Sequence, residues 1–170
     1  SGDYDYGDIA VLYRMNAQSN SFERAFMQHR IPYQLIGGVR FYDRKEIKDV
    51  VAYLRLVYQP NDRMSFSRIV NVPARGVGQA SFDKFLMWQA TSGMDIITAL
   101  VNADEASVIT ARARTALSAL GQALRTVQMN IQAGQGPSEV IEQLLKATGY
   151  RNYILDGSPQ AEDRDANLSV

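Results

Sequence analysis

The chain has 170 residues, 46% hydrophobic and 21% charged, which is typical of a globular protein long enough to bury a core. Its 18 basic and 18 acidic side chains balance, which argues against a domain that binds nucleic acid through bulk charge, so any phosphate contact must be local. The absence of cysteine excludes disulfides and thiol chemistry, and a single histidine, His29, argues against a histidine-based metal site.

Targeting signals are not apparent in the sequence. No apolar run is long enough to cross a membrane, and the acidic stretch SGDYDYGD at the start does not fit a signal or transit peptide. Together with the absence of cysteine, these features predict a cytoplasmic location with no membrane partner.

The first forty residues predict a strand, a helix and a second strand. DIAVLYR (8–14) is a short apolar run, SNSFERAFMQHR has apolar residues at helical spacing, and YQLIGG follows Pro32. Such a βαβ unit implies a parallel sheet. Two strands are too few for a sheet whose faces must both be covered, so we expect the unit to belong to something larger.

The rest of the chain predicts helices. Pro60 ends the helix that begins in DRKEIKDVV, and the composition changes there, which predicts a domain boundary. A later stripe at three- and four-residue spacing predicts a core helix, in an intramolecular bundle or, as the alternative, a coiled coil. The polar tail from residue 156 predicts a mobile segment. The stripe consists of Leu117, Leu120, Leu124, Val127 and Ile131.

The stretch NVPARGVGQASF (71–82) places Gly76 and Gly78 one residue apart, directly after Arg75 and between two predicted helices. Glycine reaches positive φ without steric cost, so the stretch fits an ordinary turn between helices. It also fits a pocket in which N–H groups unscreened by side chains bind a phosphate oxygen. Both interpretations stay open on this stretch alone.

A second polar cluster, YRMNAQS (13–19), follows the first predicted strand and contains Arg14 and Asn16. Its guanidinium, amides and hydroxyl suit phosphate and sugar contacts, and they equally suit a helix cap with surface residues. No Gly-x-x-x-x-Gly-Lys-Ser/Thr loop is present, so we expect no nucleotide site, no catalytic residue and no metal ligand in this chain.

Three stretches, taken in order, resemble the UvrD/PcrA/Rep-type superfamily 1 DNA helicases. They are DIAVLYRMNAQSNSFERAF, IPYQLIGGVRFYDRKEIKDVVAYLRLV and RIVNVPARGVG. The resemblance implies that residues 1–59 are part of the second RecA-like motor domain (2A), and that residues 60–170 are its helical insertion (2B), truncated at the C-terminal end. The implied fold is mostly α, with an N-terminal βαβ piece of a RecA-like α/β domain before a helical bundle that contains a helix-hairpin-helix-like motif.

The resemblance also implies a function. In that family two motor domains hydrolyse ATP and move 3′ to 5′ along single-stranded DNA. This chain would be a fragment of such an ATP-dependent helicase, acting in DNA repair or replication. The chain lacks the nucleotide-binding motifs, so on its own it should not hydrolyse ATP. ATP and Mg would bind to other parts of the parent protein. The implied partners are DNA at a duplex/single-strand junction and repair or replication proteins.

By position, the resemblance assigns two groups of site residues. Arg14 and Asn16 would contact single-stranded DNA. The residues implied to contact duplex backbone are Arg75, Gly76, Val77, Gly78 and Gln79. A stand-alone helix-hairpin-helix DNA-binding module and a protein-interaction domain are the alternatives.

Overall fold

The computed structural model describes residues 4–14, 18–38 and 40–168, and these are mostly helical. They pack as two compact units, one from residues up to 48 together with those from 154 onward, and one from residues 49–153. The boundary predicted near Pro60 lies inside the second unit. The helices are α1 (Ser19–Gln28), α2 (Lys45–Tyr58), α3 (Arg63–Ile69), α4 (Gln79–Ser92), α5 (Ile96–Val101), α6 (Ala111–Gln132), α7 (Pro137–Ala147), α8 (Tyr150–Ile154) and α9 (Ala161–Leu168).

The predicted N-terminal βαβ piece is wrong, since no strand forms among the described residues. The helix of that unit exists as α1, but residues 9–13 and 31–35 lack regular secondary structure. Leu12 of the first predicted strand is 93% exposed and Ile36 of the second, YQLIGG, is 88% exposed, so neither is a buried strand. A parallel strand is stable only where neighbouring strands pair with its backbone, and these runs have no such neighbour in the described chain. The prediction of a mostly α protein is correct.

A buried polar network holds the first unit together. Arg44 donates from Nη2 to Ser19 Oγ (2.7 Å) and from Nη1 to Asn167 Oδ1, while Asn167 Nδ2 donates to Glu46 Oε1 (2.6 Å). Ser19 Oγ in turn donates to Glu23 Oε1 (2.9 Å). These contacts join α1, the start of α2 and α9. The tail predicted to be mobile therefore ends in a helix that is anchored through Asn167.

The core of the second unit lies where α6 packs against α5 and α7. The predicted apolar stripe of α6 is confirmed as core at four of its five positions, because Leu117, Leu120, Leu124 and Val127 are all at most 2% exposed. The fifth, Ile131, is only half-buried. The facing helix α5 begins at its N-cap Asp95, whose side chain accepts a hydrogen bond from Thr98 N at 2.9 Å. Within the described residues, no helix combines the length and apolar character that a membrane span needs.

Gly121 is the point of closest approach between α5 and α6. A Cβ placed on it would lie 2.5 Å from the backbone carbon of Leu100 and 2.5 Å from the nitrogen of Val101. Backbone atoms cannot yield as a flexible side chain does, so the two helices would have to separate.

We therefore expect Gly121→Ala to lower the free energy of unfolding by about 1–3 kcal/mol, because overpacking outweighs the better helix propensity of alanine. Urea denaturation followed by circular dichroism measures this change. Ala119→Gly, at an exposed position of the same helix, gives the size of the propensity term alone. A Gly121→Ala midpoint at or above that of the wild type would show that the crossing is not tightly constrained.

Candidate functional site

The connection between α3 and α4, residues 70–78, is the glycine-containing stretch singled out in the sequence; we call it the glycine loop. Asn71 closes it from within: its Oδ1 accepts from Val77 N (3.1 Å) and Arg75 N (3.4 Å), and its Nδ2 donates to the Val77 carbonyl. Val77 is 3% exposed, whereas Gly76 and Gly78 on either side of it are exposed. The loop is thus pinned through one buried side chain and presents glycine backbone to solvent.

The two glycines meet different requirements. Gly76 has φ +71°, a conformation that side-chain-bearing residues rarely adopt. Gly78 is the N-cap of α4 with φ −67° and ψ 157°, which any residue can adopt, and a Cβ placed on it meets no atom within 4 Å. The fold therefore requires glycine at position 76 but not at position 78.

The first turn of α4 is exposed to solvent, as Gly76 and Gly78 are. Ser81 N and Phe82 N both donate to the Gly78 carbonyl at 3.0 Å. The N–H groups of Gln79 and Ala80 come earlier in the turn, where an α-helix offers no internal acceptor, and both residues are exposed. The side-chain amide of Gln79 donates to Asp83 Oδ1 (2.8 Å) and is held within the helix.

Arg75 is directed inward. Its Nη2 donates to the Tyr53 hydroxyl (2.8 Å), and that hydroxyl donates to the Val72 carbonyl. The guanidinium therefore braces the glycine loop against α2 and the end of α7. It also donates to four backbone carbonyl oxygens of the same unit, those of Ile69 (3.0 Å), Val70 (3.3 Å), Pro73 (3.2 Å) and Thr148 (3.1 Å).

Beneath this brace lies a second buried polar contact. Asp49, 1% exposed, accepts from Arg68 Nε (2.7 Å) and from the Tyr150 hydroxyl (2.8 Å). The rings of Tyr53 and Tyr150 meet edge to face with centroids 6.0 Å apart. Burial raises the pKa of Tyr53, although the neighbouring Arg75 opposes the shift. The carboxylate of Asp49 on α2 and the guanidinium of Arg68 on α3 thus neutralise each other.

Sequence reasoning missed Arg112, which lies in the first turn of α6. A Cβ placed on Gly76 would lie 3.0 Å from Arg112 Nη2 and 3.2 Å from its Nε, so this exposed guanidinium lies directly beside the loop. No local pattern reveals the contact, because the two residues are far apart in the chain. Tyr53 was missed for the same reason, since Arg75 lies 22 residues further along the chain. Asn71 contacts residues only four and six positions away, but an asparagine in a turn does not by itself reveal which backbone groups it will bond.

Of the pair predicted to contact single-stranded DNA, Arg14 lies in the first unit. Arg14 is exposed, and its backbone N–H donates to Gln18 Oε1 at 3.1 Å. Asn16 lies outside the described residues. The predicted single-strand contact at Arg14 and Asn16 therefore stays a prediction.

The resemblance implies that ATP and magnesium bind to the parent protein and not to this chain. Within the described ranges, no three histidine, aspartate or glutamate side chains converge as a cation site would require. The sequence also has no phosphate-binding loop of the Walker type. The expectation that ATP and Mg bind elsewhere in the parent protein stays a prediction.

The fold, the glycine loop and the sequence together define the class of protein. The model of the UvrD-like helicase C-terminal domain family matches residues 1–117, and the chain belongs to that family. The resemblance to UvrD-type helicases is thereby confirmed at the level of the family. The finer division into 2A and 2B parts stays a prediction.

Three curated relatives are described as ATP-dependent DNA helicase PcrA. The protein of Bacillus subtilis (strain 168) is 40% identical over 175 residues, covering 100% of this chain and 23% of that protein. Those of Staphylococcus epidermidis (strain ATCC 35984) and Staphylococcus aureus (strain Mu50) are both 36% identical, over 170 and 172 residues, with 97% of this chain and 23% of each relative covered. The chain spans about a quarter of the length of these relatives.

The inward contacts of Arg75 predict a stabilising role. Arg75→Ala removes a donor from the Tyr53 hydroxyl and from four carbonyls, of which that of Ile69 keeps a second donor, Val72 N at 3.0 Å. We therefore expect a loss of about 2–4 kcal/mol in the free energy of unfolding. Arg75→Lys should recover only part of it, because one ammonium cannot replace the guanidinium fork. Arg63→Ala, at an exposed arginine of the same unit, is the control and should change stability by less than about 0.5 kcal/mol. Chemical denaturation of the three variants checks this, and an unchanged Arg75→Ala protein would contradict it.

The raised pKa of Tyr53 predicts a loss of stability in alkali. Burial favours the neutral phenol, so the folded-state pKa exceeds the unfolded value of about 10. The stabilisation is complete below that value and is lost as the pH rises through the folded-state pKa. Tyr53→Phe removes the titrating group. The free energy of unfolding of this variant should therefore fall less steeply above about pH 10 than that of the wild type. Denaturation at a series of pH values tests this, and identical slopes would contradict it.

Proposed function

We propose that this chain is part of an ATP-dependent DNA helicase that moves 3′ to 5′ in DNA repair or replication, and that its glycine loop contacts the backbone of duplex DNA. The observation that carries the proposal is an exposed glycine-flanked loop, fixed from beneath, at the start of a helix. The helicase part of the proposal rests on the family and on the relatives, which are ATP-dependent DNA helicases.

The chemistry of the loop suits a phosphate oxygen. Gly76 and Gly78 carry no side chains, so a phosphate can approach their backbone closely. The exposed N–H groups of Gln79 and Ala80 lie at the positive end of the α4 dipole, which favours an anion. These donors reach backbone oxygens and not base edges, so the contact should be independent of DNA sequence.

Within the proposed set Arg75–Gln79, the residues would contribute differently. Gly76, Gly78 and Gln79 would offer backbone N–H groups to the phosphate. Val77 and Arg75 would hold those groups in place, since Val77 is buried and Arg75 donates to carbonyls of its own unit. A preorganised loop loses less conformational freedom on binding than a mobile one, which favours affinity.

The remaining parts of the proposal concern the first unit and the parent protein. Arg14 and Asn16 would contact single-stranded DNA, and the exposure of Arg14 is compatible with that. ATP and Mg would bind to other parts of the parent helicase, so this chain alone should not hydrolyse ATP. Repair or replication proteins remain proposed partners of the parent.

Gly78→Val tests the duplex contact. The substitution puts a branched side chain beside the exposed N–H groups, where the structure has open space, so the fold should lose less than about 1 kcal/mol. Duplex affinity should fall by about tenfold, as expected when a hydrogen-bonded charged group loses its partners. Fluorescence anisotropy of a labelled duplex with a 3′ single-stranded tail, titrated across a salt series, measures the change.

Ala90→Val provides the matched control, because it adds the same side chain at an exposed position near the other end of α4. It should bind duplex as the wild type does. If Gly78→Val and Ala90→Val bind equally well, the loop is an ordinary turn. If the wild type fails to bind even at low salt, the proposed duplex contact fails with it.

A further inference from the structure

We propose that Arg112 supplies the guanidinium of the duplex-backbone contact, in place of the arginine that the sequence motif itself suggests. This inference rests on the proposed function of the glycine loop and names a residue that lies outside the motif. The ligand is a single phosphodiester group of the duplex, held between the Arg112 side chain and the loop backbone.

The position of Arg112 is the first support. Its Nη2 and Nε lie 3.0 Å and 3.2 Å from the point where a Cβ on Gly76 would lie. These two nitrogens form one edge of the guanidinium, which is the edge that binds two oxygens of a phosphate. The Arg112 guanidinium therefore occupies the space that a side chain at position 76 would take, and a phosphate bound at the glycine loop would lie within its reach.

The contrast with Arg75 is the second support. The Arg75 guanidinium already donates to carbonyls of its own unit and to the Tyr53 hydroxyl, so binding a phosphate would cost the loop its brace. Arg112 is exposed, and among the described residues it has no carboxylate partner. The inward arginine stabilises the loop, and the outward one is available to a ligand.

The charges around the loop are the third support. Lys84 is exposed on the same face of α4 as Ala80, one turn further along the helix, and adds a second cation. The acidic neighbour is Asp83, whose Oδ1 accepts from Gln79. The two cations, Arg112 and Lys84, outnumber the one carboxylate, Asp83, so these three groups together carry a positive charge although the whole chain is neutral.

The test compares two arginines of the same helix. Arg112→Gln and Arg114→Gln remove the same charge from neighbouring positions of α6, but residue 114 is displaced by about 200° around the helix from residue 112. The probe is the fluorescein-labelled duplex with a 3′ single-stranded tail, titrated with the 170-residue chain at several salt concentrations. Circular dichroism melts verify that both variants remain folded.

Arg112→Gln should weaken duplex binding by about tenfold at low salt and reduce the slope of log affinity against log salt by about 0.9, the value for one lost phosphate contact. Arg114→Gln should leave the slope unchanged. Arg112→Lys should keep the slope but bind more weakly than the wild type, because the charge remains while the two-nitrogen edge is lost.

Two results would overturn the inference, and they differ in what they say about the proposed function. If the wild type binds and Gly78→Val weakens binding, but Arg112→Gln and Arg114→Gln behave alike, the loop binds duplex without Arg112. If the wild type shows no binding at low salt, the duplex contact itself is absent and Arg112 has no such role.

Discussion

The guanidinium of Arg75 is the contact on which the glycine loop depends. It joins four carbonyl oxygens and the hydroxyl of Tyr53, which come from α2, from α3 and the loop, and from the end of α7. A buried carbonyl left without a donor is costly, so this one side chain satisfies acceptors that no regular secondary structure reaches. Within the loop, the Asn71 side chain bonds the backbone of the buried residue Val77 and so sets the loop conformation.

The solvent-exposed surface of the glycine loop is therefore shaped by the contacts of Arg75 within its own unit. Because the Arg75 guanidinium is engaged with its own unit, the groups exposed to solvent are the backbone of Gly76 and of Gly78 to Ala80 and the side chain of Arg112. Such a surface suits a phosphodiester, whose oxygens accept from backbone N–H groups and from guanidinium alike. It offers little to distinguish one base pair from another.

The sequence predicted the features that depend on local spacing. The stripe of α6 and the turn around Gly76 follow from residue types a few positions apart, and both are present. The prediction of two strands was wrong because a strand requires a neighbouring strand to bond its backbone. Among the described residues, an apolar run such as 9–13 has no such neighbour. The direction of Arg75 and the proximity of Arg112 to Gly76 depend on contacts between distant segments, which no periodicity encodes.

Gly76 and Gly78 look equivalent in the sequence but are under different evolutionary constraints. At position 76 the left-handed backbone itself selects glycine, whatever the loop binds. At position 78 the backbone is ordinary and the space beside it is open, so only a ligand has reason to select against a side chain there. Among homologues, a larger residue at position 76 would therefore indicate a rebuilt loop, whereas one at position 78 would leave the fold intact and argue against the proposed phosphate contact there.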